Sequence, residues 1–393
     1  MHVVQPRCSR RMFLRLAGLA GAAALGTACT PGPAAQPASA PPTPPAAAPT
    51  APAAASPAAS ASAGTSAAPS PALQAAPASG SAEHVRVGVG PLLAYAGIFL
   101  AQDRGHFREL NLEVEYVQFP GGAADMAAPL TVNQIDVANA DASAAFLNSL
   151  ARGIPLRFVA DGNHTEPGHS PVAWVIRKDL IDSGAVTDLP DLKGKKLSGI
   201  IRGSQVDSEV YRTLAKAGLT ANDADVQYLG FPDSLAALAS KALDGAIEVE
   251  PLVTAAVQQN IGVRWKGMDE LFGSLQGTVI MLSPNMAARR EVATRFVQAY
   301  LLGVRDYLNA FNQGVNRDAV ISVLINNTSV KDPALYAVMS LPAFDPNGAM
   351  LVQSMKDLQQ WYVDNGFVQT PANLDQAIET SYLESALSVI GRA

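Results

Sequence analysis

"VRVGVGPLLAYAGIFLAQDRGHFRELNLEVEYVQFPGGAADMAAPLTVNQIDVANAD", Val85 to Asp141, alternates between two hydrophobic periods. From His84 to Gly90 apolar and polar residues alternate with period two, the mark of a strand with one buried face. A helix is expected from Ala96 to about Arg108, with Ile98, Phe99 and Ala101 on its apolar side. "LEVEYVQF", Leu112 to Phe119, returns to the strand period; Gly121-Gly122 opens a second helix to about Val132, and "IDVANA" gives a third strand. Asp141 and Ser143 are suited to cap a further helix, before a fourth strand in "PLRFVADG". Strands alternating with helices imply βαβ units and a parallel sheet.

Downstream the pattern starts again. After the turn-rich stretch from Gly162 to Pro171, "VAWVIRK" reads as a strand, followed by "KKLSGII" and a helix from Ser204 to Ala217. "DVQYLGF", a helix from Pro232 to Leu243, "GAIEVE" and a helix from Pro251 to Asn260 complete a second α/β series. "TVIMLS", Thr278 to Ser283, is an apolar strand placed to lead back to the first series. Helices are expected at Met286–Phe311, Arg317–Ile325, Pro333–Met339, Ala349–Asn365 and Leu374–Ile390. Two α/β series joined by exchanged strands, with a helical tail, imply two lobes around a cleft. The expected hinge strands are Val172–Ile176 and Thr278–Leu282.

Upstream, the chain reads as an address and a tether. The apolar run from Leu16 to Ala28 has 13 residues, too short for the roughly 20 that span a bilayer. Arg7, Arg10, Arg11 and Arg15 precede it, and Gly26 and Ala28 close it, the layout of a cleaved export signal. Arg10-Arg11-Met12-Phe13-Leu14 resembles the twin-arginine export pattern. Cys29 follows the cleavage site, as in a bacterial lipoprotein, although Gly26 stands where a branched apolar residue is usual. Thr30 to Ala82 carries no charge and 13 of the 28 prolines. Such a segment buries too little apolar surface to fold. The expected organisation is a signal peptide at 1–28 and a lipidated cysteine with tether at 29–82. Lobe one then takes 83–175 with 277–393, and lobe two takes 176–276.

The blocks now have enough order to compare. Val85–Asp141, "DLKGKKLSGIIRGS" with "VYRTLAKAGL", and "DVQYLGFPDSLAALASKALDGAIEVEPLV" resemble the nitrate/taurine/sulfonate and thiamine-precursor binding proteins of ABC importers. The resemblance runs from Val85 to about Val253. It implies an α/β, two-lobed class II periplasmic-binding-protein fold with a helical C-terminal region, closing on a small solute. It also implies a permease partner and an extracytoplasmic location.

In open α/β sheets ligands sit beyond the carboxyl ends of strands, where helix N-termini offer free N–H groups. In lobe one those positions hold Tyr95, Phe119, Gly121, Gly122, Asn139, Asp141, Ser143, Asp161, Asn163 and His164. In lobe two they hold Arg202, Gly203, Ser204, Gln205, Phe231, Asp233, Ser234, Glu248 and Glu250. Each has a plainer use. Gly121-Gly122 serves a turn as well as a ligand, and Tyr95 and Phe119 suit a core as well as a stacked ring. Glu250-Pro251 suits a helix start. Arg202 pairs with an anionic ligand or with Asp207. Gly203-Ser204, a glycine followed by a capping serine, is the strongest single candidate.

Charge narrows the ligand. All 34 acidic residues follow the tether, against 24 of the 28 basic ones, so the folded part carries about −10. That opposes nucleic acid as a partner; Asp141, Asp161, Glu166, Asp233, Glu248 and Glu250 near the expected rim, against Arg202 alone, tilt the ligand towards neutral, zwitterionic or cationic. Cys8 and Cys29 both precede the folded part, which has neither disulfides nor thiol chemistry. No His-Glu-x-x-His, Gly-x-Ser-x-Gly or Cys-x-x-Cys occurs, and Gly88-Val89-Gly90 lacks the third glycine of a dinucleotide loop, near whose place Ala94 stands. His164, Glu166 and His169 read as a solvated loop rather than a metal site. The expectation is a monomeric, non-enzymatic binding protein without cofactor. The alternatives are a sensor domain, or an enzyme like the pyrimidine-forming relative of this family, which consumes its own histidine with iron.

Overall fold

The computed structural model describes residues 81–119 and 123–393. Ten strands form two five-stranded sheets of matching design. The first contains β1 (Glu83–Val89), β2 (Leu112–Gln118), β3 (Val137–Ala140), β4 (Arg157–Thr165) and β10 (Leu275–Leu282), in the order β2-β1-β3-β10-β4. The second contains β5 (Val172–Arg177), β6 (Lys196–Ser198), β7 (Asp225–Gln227), β8 (Gly245–Val249) and β9 (Gly262–Gly267), in the order β7-β6-β8-β5-β9.

The alternation in β1 sets its register: Val85, Val87 and Val89 are fully buried, and Val85 pairs with Val114 of β2 in parallel. Neither sheet is purely parallel, as the strand–helix alternation implied. β10 runs antiparallel to both β3 and β4, and β5 runs antiparallel to both β8 and β9. Each is the strand that has just arrived from the other sheet. It enters reversed, in the penultimate position of its sheet. β5 and β10 are therefore central strands, and the crossings themselves are the short stretches 166–171 and 273–274.

The helices expected at Ala96–Arg108 and Met286–Phe311 each divide in two, and further sequence readings change. β9 is a strand beyond those expected: "GVRWKG" alternates apolar Val263 and Trp265 with Arg264 and Lys266, and all four are half-buried. β7 stops at Gln227, short of Phe231, which begins a helix (Phe231–Ala239). The helix expected over Leu374–Ile390 divides into Leu374–Ala377 and Ser381–Ile390. Between them Ile378 bridges Phe158, and Glu379 donates its N–H to the Phe158 carbonyl at 2.9 Å. Together with a bridge from Ala343 to His164, this covers the free edge of β4, which would otherwise invite further strand pairing.

The C-terminal helices pack chiefly on the first sheet. In the long helix Arg290–Gln313, Phe296, Val297, Tyr300, Val304 and Tyr307 are buried. It crosses the helix Ala96–Asp103 where two glycines meet: a Cβ on Gly303 would lie 2.1 Å from the Gly97 carbonyl oxygen. The helix Val352–Asp364 reaches the second lobe, where Trp361 stacks on Tyr211 with ring centroids 6.1 Å apart. No helix among the described residues is long and apolar enough to cross a membrane. The expected export signal, Cys29 and the tether lie outside the described residues.

Candidate functional site

The carboxyl ends of β1, β3, β6, β7 and β8 converge on one cleft between the sheets. With its open mouth it encloses about 1010 Å³. Leu92, Leu93, Ala94 and Tyr95 reach it from a 3-10 turn after β1, and Asp141 from the loop after β3. Ile200 and Ile201 follow β6, and Ser204, Gln205, Val206 and Glu209 come from the helix start beyond them. Phe231, Val249 and Glu250 complete lobe two, while Asn163, Thr278 and Pro342 face them. Ile200 sits at φ +62°, a left-handed conformation costly for a β-branched residue.

Most of the wall is apolar, and its ionisable groups other than Tyr95 are all carboxyls. Asp141 accepts the backbone N–H of Gln205 at 3.2 Å, a bond from lobe two to lobe one. Burial pushes its carboxyl up, only partly offset by that bond. Glu209 is 2% exposed, and burial raises it to about 7 against the hydrogen bond from Gln205 Nε2 at 3.0 Å. Its Oε2 has no partner. Glu250 is raised by burial too, while accepting N–H bonds from Thr254 and Ser340 and the Thr254 hydroxyl. Glu250 therefore caps the helix Leu252–Gln258 and also ties lobe two to the C-terminal segment. Among the described residues of the wall there is no lysine, arginine, histidine or cysteine.

Of the residues singled out in the sequence, Tyr95, Asp141, Asn163, Ser204, Gln205, Phe231 and Glu250 line this cleft. Others go elsewhere, and the reasons are local. Arg202 is exposed and lies over the Phe367 ring at 5.7 Å, because the turn before the helix directs it to the C-terminal segment. Gly203 is buried at φ +78°; its N–H donates to Asp207 Oδ2 at 2.8 Å, and its carbonyl accepts from Ala144 N–H at 3.3 Å. Ser204 Oγ accepts the Asp207 N–H at 3.2 Å, and Ser204 N–H donates to the Ile201 carbonyl. The N–H groups of 203 to 205 are thus already engaged within the protein.

Asp233 is exposed on the first turn of its helix, away from the cleft wall. Ser143 is buried at the start of the helix Ala144–Ala151, its Oγ without a partner. His164 turns to the buried Asp161, its Nδ1 3.1 Å from Oδ2. Burial alone would lower the imidazole, but the bond and charge of Asp161 raise it. Asp161 also accepts Gln276 Nε2 at 2.6 Å and Asp345 N–H at 2.9 Å, so this network anchors the C-terminal segment. Gly121 and Gly122 lie outside the described residues. Among those described, no group of three histidine, cysteine or carboxylate side chains is placed to hold a metal ion.

Glu209 was missed in the sequence. Its signal is its spacing: it lies four residues after Gln205 and so shares that residue's helix face.

The family model described as NMT1/THI5 like matches residues 93–310. No curated protein matches the chain in sequence. The chain is similar to the alkanesulfonate-binding protein SsuA from Xanthomonas axonopodis pv. citri bound to MOPS. The two share 18% identity at TM-score 0.61, over 77% of this chain and 100% of that one. It is similar as well to the periplasmic nitrate-binding protein NrtA from Synechocystis PCC 6803, with 13% identity, TM-score 0.66, and coverage of 79% and 89%. A third similar structure is the desulfurization enzyme DSZB, with 16% identity, TM-score 0.57, and coverage of 78% and 99%. These likenesses establish the two-lobed periplasmic-binding-protein fold, and with the family match over more than half its length the chain belongs to the NMT1/THI5-like family.

Proposed function

We propose that the chain is an extracytoplasmic solute-binding protein of an ABC-type importer, holding a small organic molecule between its lobes and presenting it to a permease. The observation that carries this reading is the interlobe cleft itself, an apolar chamber with a few polar groups at strand ends, as expected of a small-molecule site. The fold alone does not separate binding from catalysis, since DSZB shares it. What favours binding is the wall: no nucleophile stands beside a base among its described residues, and its carboxyls are tied into helix starts and lobe contacts.

The ligand is neutral, zwitterionic or cationic, because the wall offers carboxyls and no cation. Ligand bridging the lobes would favour the closed arrangement already marked by the Asp141–Gln205 and Gly203–Ala144 bonds. The chain is exported through its arginine-led signal and held at the membrane by lipid on Cys29. Mass spectrometry of the mature N-terminus tests this: a diacylglycerol-bearing Cys29 is expected, and an unmodified one removes the anchor. Solute capture is tested by a thermal-shift screen of the full chain, since a ligand of the folded state alone raises the melting temperature. A screen that yields only anions would overturn the charge reading; one that yields none, with uptake unchanged on deletion, would overturn the transport reading.

A further inference from the structure

Resting on that reading, we infer that the cleft takes an organic cation, an ammonium or amidinium on an apolar body, its charged end held between Asp141 of one lobe and Glu209 of the other. Three observations converge on this. The first is Glu209: it lines the cleft, is 2% exposed, and leaves Oε2 without a partner, as Gln205 Oε1 beside it is also left. A buried acceptor without a donor is costly, and two in adjacent turns of one helix face call for a group that brings N–H donors. The second is the position of Asp141. A helix N-terminus facing a cleft is the natural seat for an anionic ligand, but here Asp141 takes the Gln205 N–H of the helix Gln205–Lys216. The protein's own carboxylate sits where a sulfonate or phosphate would go, and its charge repels any second anion.

The third is the surroundings of the pair. The charged and titratable groups facing Glu209 are Asp141 across the cleft, Arg212 on its own helix, and Tyr362 from the helix Val352–Asp364, which also faces Asp141 and Asp207. Arg212 is engaged over the Phe272 ring at 4.5 Å and forms no ion pair with Glu209. The Arg212 charge favours ionised Glu209 and Asp141 opposes it, but Arg212 does not line the cleft, so closing the lobes sets two carboxyls on a wall without a cation of the protein. A bound ammonium relieves that repulsion only in the closed form, which gives it the differential affinity that closure needs. Leu92, Leu93, Ile200, Val206 and Phe231 supply the apolar contacts for its body.

The test uses the full chain in amine-free buffer with three probes on one skeleton: phenethylamine, phenethyl alcohol and phenylacetate. Calorimetry at pH 8 is expected to give the amine at least tenfold tighter binding than the alcohol, with phenylacetate weakest. Glu209→Gln is expected to erase the amine's advantage while leaving the alcohol's affinity and the melting temperature of the free protein no lower. Asp141→Asn serves as a second variant with the same expected loss. An amine no tighter than the alcohol, an amine that does not bind at millimolar concentration, or a preference that survives both substitutions overturns the inference. If the alcohol or phenylacetate binds instead, the cation inference fails and solute capture stands. If neither these probes nor any member of a solute library shifts the melting temperature, both fail.

Discussion

Replacing Glu209 by glutamine should make the protein more stable, and by an amount that depends on pH. Burial raises this carboxyl from 4.5 to about 7. A folded-state value above the unfolded one contributes stability that is complete below the unfolded value and is lost as pH rises to the folded value. The window is therefore pH 4.5 to 7. At about 1.4 kcal/mol for each tenfold change in proton affinity, the loss across it approaches ~3 kcal/mol. Glutamine cannot ionise, and its amide oxygen still accepts the Gln205 Nε2 bond seen at 3.0 Å. Wild type and E209Q should match near pH 4.5, and the variant should gain steadily to about 3 kcal/mol at pH 7.5. Urea unfolding of both proteins at half-unit pH intervals measures the difference directly, provided the urea slopes agree. Two parallel stability curves over that range would refute the argument, because they would mean that Glu209 titrates alike in both states. The same titration affects binding: an ammonium ligand should bind more tightly as pH rises towards 7, releasing a proton, and level off above it.

Asp141→Ala removes the acceptor of the Gln205 N–H and frees a helix start; the ligand-free protein should expand in X-ray scattering and begin to bind sulfate, which wild type should not bind. A variant as compact as wild type and blind to sulfate would show that Asp141 neither holds the lobes nor guards the helix. Tyr211→Ala unstacks Trp361 at the lobe contact, so tryptophan emission should shift to the red with little change in melting temperature; unchanged emission would mean that the stack does not form in solution. Gly303→Ala places a Cβ 2.1 Å from the Gly97 oxygen and 2.7 Å from the Ala101 nitrogen, both backbone atoms. The cost should reach about 1–3 kcal/mol or more, as for overpacked cores, and a urea midpoint equal to wild type would sink the close-crossing account.

The sequence by itself determined the elements and the kind of fold. Period-two runs such as Val85–Val89 and period-3.6 runs such as Arg290–Gln313 are visible one residue at a time, because burial of one face is written into local spacing. It also marked the strand ends where Tyr95, Asp141, Gln205 and Glu250 meet at the cleft. Tertiary structure decided the rest. β10 enters between β3 and β4, more than a hundred residues away, a pairing that no local window contains. Arg202 and Gly203 were adjacent to the right helix start, yet one turned to Phe367 and the other spent its N–H on Asp207. Glu209 became a buried carboxyl raised to about 7 only because the folded chain covers it and sets Asp141 nearby. Spacing fixes which residues share a face; which charge faces which across a cleft depends on contacts that exist only after the chain has folded.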